Sequence, residues 1–178
     1  MSHSIRRFEA KDQAAMLAFT ASLPEHDLLF LSRDVQHPRV IEAWAAAVGE
    51  GVIDSLVAED GGRIVATAAL VRDPMSWSPH VGEVRLLVSP DRRGAGLGRD
   101  LLEAIFAIAH AHGTTKLVAQ MTPDQTGSVA LFESLGFRGE AMLRDHVCDR
   151  SGQFHDLVIL SLRLGALAAS HEAFGWTE

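Results

Sequence analysis

Arg93-Gly94-Ala95-Gly96-Leu97-Gly98-Arg99 is the stretch whose residue types and spacing could do the most specific chemistry. Three glycines at alternate positions let a backbone approach a ligand closely and turn its N–H groups outward. Arg92, Arg93 and Arg99 bring positive charge to the same place. Just before it, Val84, Leu86, Leu87 and Val88 form the apolar run of a strand, which Ser89-Pro90-Asp91 ends because proline cannot donate to a ladder. Just after it, Leu101, Leu102, Ile105, Phe106, Ile108 and Ala109 recur at helical spacing until His112-Gly113. A strand, a glycine turn and a helix start together make an anion site, because the first helical N–H groups lack internal acceptors and the dipole adds positive potential. The expected ligand carries phosphate.

Two phosphate ligands fit such a turn. A dinucleotide fingerprint wants G-x-G-x-x-G/A and an acidic residue about twenty positions on. Here the third position is Arg99, and Gln120 lies where the acid is wanted, with Asp124 a little beyond. Arg93-Gly94-Ala95-Gly96-Leu97-Gly98, following Leu86-Leu87-Val88-Ser89-Pro90, fits R/Q-x-x-G-x-G/A after an L-x-V-x-P strand end much better. That resembles the acyl-CoA-binding motif of the GNAT superfamily of N-acetyltransferases. Val129-Ala130-Leu131-Phe132-Glu133-Ser134-Leu135-Gly136-Phe137 is similar to the superfamily's second recurrent element, with Phe132 where a tyrosine is usual.

The elements that must position these residues follow in order. Ser4 to Phe8 reads as a short first strand, and Asp12 as the cap of a helix running to about Leu23, where Pro24 interrupts. Pro38 to Gly49 has proline in its first turn, one apolar side and a closing glycine, so it is a helix. Ile53 to Glu59 and Arg63 to Val71 flank Asp60-Gly61-Gly62, a strong hairpin signal. After the central strand and long helix come a strand over Lys116–Met121, with Leu117 and Val118 buried, and a short helix stopped by Gly136. Strands from Phe137 to Val147 and Leu157 to Leu162 close the chain around Asp149-Arg150-Ser151-Gly152. The expected fold is α/β: one mixed, mostly antiparallel sheet with helices on both faces. The resemblance adds that the central strand and the strand after the long helix splay apart, with pantetheine in the resulting V and pyrophosphate on the turn.

What the resemblance implies about chemistry is acetyl transfer from acetyl-CoA to a primary amine, a small molecule or a protein lysine, by direct attack in a ternary complex. The cofactor would be held by Arg93, Gly94, Ala95, Gly96, Leu97, Gly98 and Arg99. The thioester carbonyl would be polarised by backbone N–H groups at the end of the central strand, near Leu87 and Val88, with Leu86 also against the cofactor. Gln125 stands in place of a common asparagine and would hydrogen-bond the pantetheine, beside Phe132. An amine acceptor arrives protonated and needs a base. Glu83 on the central strand is the first candidate, although Glu83 and Arg85 share a strand face and would equally form an ion pair. His80 is the second. Gln120, where other members place a base, cannot take a proton. The chain contains no tyrosine, so the acid is unassigned. That gap motivates a different reading, a catalytically silent acyl-CoA-binding or sensor module.

The totals set bounds. The 178 residues suit one domain, with a core over about 4–164 and a tail over 165–178. A formal net charge of −7 argues against a general nucleic-acid or membrane-surface binder. Cys148 is the single cysteine, so no intramolecular disulfide forms. The His- and Asp-rich segment Arg144 to Asp156 is explained by a hairpin, and no metal is expected. No apolar leader or membrane span is apparent, which points to the cytoplasm, and a homodimer is compatible with the pattern.

Overall fold

The computed structural model describes residues 4–165. The chain enters through β1 (Ser4–Arg7) and a 3-10 turn over Ala10–Asp12, then α1 (Gln13–Ala21). The Asp12 carboxylate does not cap α1. It accepts the Glu9 N–H and a two-pronged bond from Arg6, at 2.6 and 2.9 Å. A second 3-10 turn, Glu25–Leu28, begins after Pro24, because proline stops α1 from continuing. Then α2 (Pro38–Gly49) starts where His37 Nδ1 accepts the Arg39 N–H and Pro38 supplies a preset φ.

Strands β2 (Ile53–Asp60) and β3 (Arg63–Arg72) are joined at Gly61 and Gly62, whose φ of 58° and 77° only glycine adopts easily. The central β4 (Val81–Val88) leads through Pro90–Arg92 to α3 (Leu97–Ala111). Next come β5 (Lys116–Met121), α4 (Thr126–Ser134), β6 (Arg138–Cys148) and β7 (Phe154–Arg163). The last strand thus begins three residues before the apolar run that marks it in the sequence.

The seven strands make one sheet in the order β1-β2-β3-β4-β5-β7-β6, and β4–β5 is its parallel pair. Helices α3 and α4 cover one face, where Val84, Leu101, Leu102, Ile105, Leu117 and Phe137 are buried together. On the other face, α1 and α2 bury Met16, Phe19, Ile41 and Trp44 against Val57, Ala69, Leu87 and Leu157. Burial in β5 alternates, with Leu117, Ala119 and Met121 inside and Val118 half-buried, so Val118 is not the partner of Leu117 in the core. No helix among the described residues is long and apolar enough to cross a membrane. The tail beyond residue 165 lies outside the described residues.

One departure from regular pairing makes the site. Strands β4 and β5 pair only where Val81, Gly82 and Glu83 meet Lys116, Leu117 and Val118. Beyond that each keeps its outer neighbour, β3 or β7, and the two separate. Gly82 permits the closed end. A Cβ there would lie 2.6 Å from Leu70 Cδ1 and 3.3 Å from Thr114 Cγ2.

Candidate functional site

The gap between β4 and β5 opens into a cavity of about 630 Å³. Val84, Leu86 and Leu87 border it on one side and Gln120 and Met121 on the other. It runs on to Gly94, Gly96 and Gly98 at the turn, and past Gln125, Leu131 and Phe132 of α4. A cavity of this size, mostly apolar with polar groups at one end, suits a long ligand with a charged head.

The backbone explains what such a ligand would meet. Ser89 N–H donates to Val65 O, so in the antiparallel β3–β4 ladder Leu87 also bonds to β3, at Thr67. The N–H and C=O groups of Leu86 and Val88 therefore point the other way, into the gap. Of the two residues expected to polarise a carbonyl, Val88 presents its N–H group there and Leu87 does not, while Leu86 does. By the same alternation, Leu164 N–H to Thr115 O sets β5 so that Gln120 turns its backbone toward the gap. These are edges that an extended ligand carrying amides can pair with.

At the turn, Gly94 and Gly96 have φ of 78° and 86°, and Gly96 is the N-cap residue of α3. Among the described residues, no backbone acceptor takes the N–H groups of Gly94 to Arg99, and the first helical bond is Asp100 N–H to Gly96 O. Gly98 has an ordinary φ, but a Cβ there would sit 3.1 Å from Leu131 Cδ2 and 3.3 Å from Leu86 Cδ2, inside the cavity wall. Ala95 is exposed and does not line the cavity, and the Leu97 side chain is buried in the core, so these two offer backbone alone.

The arginines are less free than their sequence suggests. Arg93 Nη2 donates to Asp27 Oδ2 at 2.5 Å, and Nε and Nη2 both reach the Val88 carbonyl. Arg92 pairs with Asp60 at 2.5 Å, on the β2–β3 turn. Arg99 donates to Ser134 Oγ at 2.8 Å and faces Glu103 one turn on. Arg93 and Arg99 are about half-exposed beside the cavity, so an anion could compete for them.

A second cavity, of about 480 Å³, lies on the α1–α2 side of the sheet. Phe30 and Gln120 border both cavities, so the two adjoin. Glu83 lines the second cavity and also pairs with Arg85, whose Nε donates to Oε1 at 2.7 Å. Glu83 thus forms the ion pair with Arg85 while facing a cavity, and Oε2 has no hydrogen-bond partner among the described residues. The mouth carries Glu25, Asp34, Arg33 and Arg150. Arg150 Nη2 bonds Asp34 at 2.8 Å and holds its carboxyl below the usual range. His80 lines neither cavity. It is exposed before β4, at the closed end, where its carbonyl accepts the Thr115 and Lys116 N–H groups. Eight residues of strand, roughly 26 Å at about 3.3 Å each, separate it from Val88.

Gln125 lines the first cavity, its Oε1 accepting the Thr122 N–H at 3.3 Å, and Phe132 is buried edge-on against Phe137 at 5.0 Å. The sequence reading nominated none of the cavity residues in the turn after Pro24, His26 among them. His26, in the turn after Pro24, projects from the α1–α2 side to Asp124 Oδ2, 2.9 Å from Nε2, and to Thr122 Oγ1, 3.2 Å away. A histidine in an irregular segment carries no local signal, since its partners stand 96 or more residues away. The hairpin rich in His and Asp is held by its turn: Asp149 accepts the Ser151 hydroxyl, His155 Nε2 and the Gln153 N–H, which hold its carboxyl well below the usual range.

The sequence model of the Acetyltransferase (GNAT) family matches residues 19–137, which takes in both cavity walls. The chain belongs to this family. It is 31% identical over 128 residues to the L-methionine sulfoximine/L-methionine sulfone acetyltransferase of Pseudomonas paraeruginosa, a match covering 69% of this chain and 72% of that enzyme. It is 37% identical over 91 residues to N-acetyltransferase 8 of Rattus norvegicus, covering 49% of this chain and 41% of the rat protein. Among solved structures, yncA of Salmonella typhimurium, determined with its cofactor acetyl-CoA, superposes with a TM-score of 0.77 at 25% identity, over 92% of this chain and 95% of that one. A GNAT-family acetyltransferase from Streptococcus pneumoniae shares the fold, with a TM-score of 0.78 at 22% identity over 91% and 99% of the two chains.

Proposed function

We propose that the protein transfers an acetyl group from acetyl-CoA to the primary amine of a small, amino-acid-like molecule by direct attack. The observation that carries this reading is the junction of two cavities at Phe30 and Gln120, one ending on a phosphate-type turn and the other holding a carboxylate. Bound in the first cavity, acetyl-CoA would supply the activated thioester. The residues fit that group: the unpaired N–H groups from Gly94 to Arg99 meet the pyrophosphate at the positive end of α3, and Arg93 and Arg99 lie beside it. The backbone edges of Leu86, Val88 and Gln120 face the amides of the pantetheine arm, and a free N–H of β4 polarises the carbonyl where charge develops.

In the second cavity, Glu83 Oε2 accepts a proton from the incoming ammonium while Arg85 fixes Oε1, so the carboxylate is oriented by its ion pair as well as constrained by it. The mixed charges at the mouth suit an acceptor carrying both an amine and a carboxylate, and the similarity to an enzyme acting on methionine derivatives supports that class. The absence of tyrosine favours the alternative, a silent binding module. Incubation with acetyl-CoA and a panel of amino acids, polyamines and lysine peptides, read by thiol release, decides between them. Release with amino-acid-like amines is expected. Tight acetyl-CoA binding with no release on any amine would establish the module instead.

A further inference from the structure

We propose that His26 is the acid that protonates the departing sulfur, an assignment resting on the acetyl-transfer reading above. With no tyrosine in the chain and Phe132 on the cavity wall, no phenol can serve. The two cavities divide the titratable groups between them. Glu83 faces the acceptor side, and His26 faces the cofactor side without lining the acceptor cavity. Glu83 is thus placed beside the acceptor and His26 beside the leaving thiol's side of the gap.

The hydrogen bonds of His26 favour the acid role. Nε2 is 2.9 Å from Asp124 Oδ2, and the same carboxylate accepts the Thr122 hydroxyl, which together hold it below the usual carboxylate range. A carboxylate kept ionised there accepts Nε2–H and fixes the ring, leaving Nδ1 as the nitrogen that gives its proton to the sulfur. Nδ1 has no hydrogen-bond partner among the described residues. The other charged or titratable groups around the ring are occupied elsewhere. His155 of β7 meets it edge-on at 5.3 Å but is itself held by Asp149 at 2.9 Å. Asp27 is taken by Arg93, and Glu25 accepts the Arg150 N–H. In the transfer, the amine nitrogen forms its bond to the carbonyl carbon, the carbon–sulfur bond breaks with its electron pair going to sulfur, and Nδ1 delivers the proton that makes the free thiol. The ammonium loses two protons, one to Glu83 before attack and one as the amide forms; both pass to water, one of them recharging His26, and one is released for each turnover.

The test uses free CoA as well as turnover. In the complex of the wild-type protein with CoA, an imidazolium beside the sulfur favours thiolate, so its ultraviolet absorbance should appear at lower pH than in the complex of His26→Gln. The variant should also lose kcat by roughly 10²–10⁴-fold, the range for removing a positioned acid, with acetyl-CoA affinity nearly unchanged. If His26→Gln does not fold, His26→Asn removes the same proton from a smaller side chain. Identical thiolate titrations in wild type and variant would overturn the proposal whatever the activity. A shifted titration with no turnover on any amine would instead overturn the transfer reading and leave His26 at the sulfur.

Discussion

The glycine turn separates two kinds of requirement, conformational and electrostatic, and substitutions at Gly96 and Gly98 pull them apart. Gly96 holds φ at 86° with nothing within 4 Å of a Cβ built there, so Gly96→Ala meets backbone strain without a clash. A left-handed alanine costs about 1–2 kcal/mol. For a chain of this size that lowers Tm by about 2–8 °C, at about 2–4 °C per kcal/mol. Gly98→Ala is the opposite case. Its φ is ordinary, and its Cβ would press on Leu131 at 3.1 Å and Leu86 at 3.3 Å, against an optimum of about 3.5–4.0 Å. Both neighbours are leucine ends that can give a few tenths of an ångström, and alanine's helix propensity offsets up to about 1 kcal/mol of the crowding. Tm should move by no more than about 4 °C. Aspartate at either position adds a charge within a side-chain length of where the proposed phosphates would lie. At about 5 Å and an effective dielectric between protein and water, that repulsion is roughly 1–3 kcal/mol, or about 5- to 150-fold in Kd. Calorimetric titration with acetyl-CoA at two salt concentrations, with a melting curve for each variant, checks all four. Folded Gly96→Asp and Gly98→Asp proteins that both keep wild-type affinity would refute the placement of the phosphates. A Gly96→Ala protein as stable as wild type would refute the strain argument.

Three further outcomes follow from other parts of the chain. Glu83→Gln should lower kcat by roughly 10²–10⁴-fold, less at high pH where more amine arrives neutral, with a modest loss of stability from the largely buried pair with Arg85; wild-type turnover at neutral pH would remove Glu83 from the mechanism. Arg6 pulls the buried Asp12 carboxyl below its usual value, so this pair's stabilisation is full above the unfolded carboxylate pKa and fades as pH falls through the lower folded one. Asp12→Ala should therefore cost about 1–3 kcal/mol at neutral pH and progressively less in acid, which urea melts at several pH values would show. Gly82→Ala, whose Cβ would meet Leu70 Cδ1 at 2.6 Å, should destabilise by about 1–3 kcal/mol, read as a lower urea midpoint.

Elements whose signals are local were legible in the sequence. Pro38 and Gly49 bracket α2 because proline suits a first turn and glycine ends a helix, and the helix has those bounds. Gly61-Gly62 marks the hairpin for the same kind of reason, and Gly94 and Gly96 mark the turn before α3, where both hold positive φ. The arginines show the limit of that reasoning. Composition places three cations at the turn, but where each points depends on Asp27, Asp60 and Ser134, and Asp27 is 66 residues from Arg93. Asp12 reads as a cap from its neighbours, yet Arg6 and the Glu9 N–H take its carboxylate. The separation of β4 from β5 leaves no trace in either strand's apolar pattern, because that pattern reports burial of side chains and not which backbone edge lacks a neighbour. Hence residue types could nominate Glu83 and His80 alike, while only the sheet put one beside a cavity and the other at its closed end. His26 is the extreme case: nothing within ten residues distinguishes it, and its place in the cavity wall exists only because the fold sets it against Thr122 and Asp124.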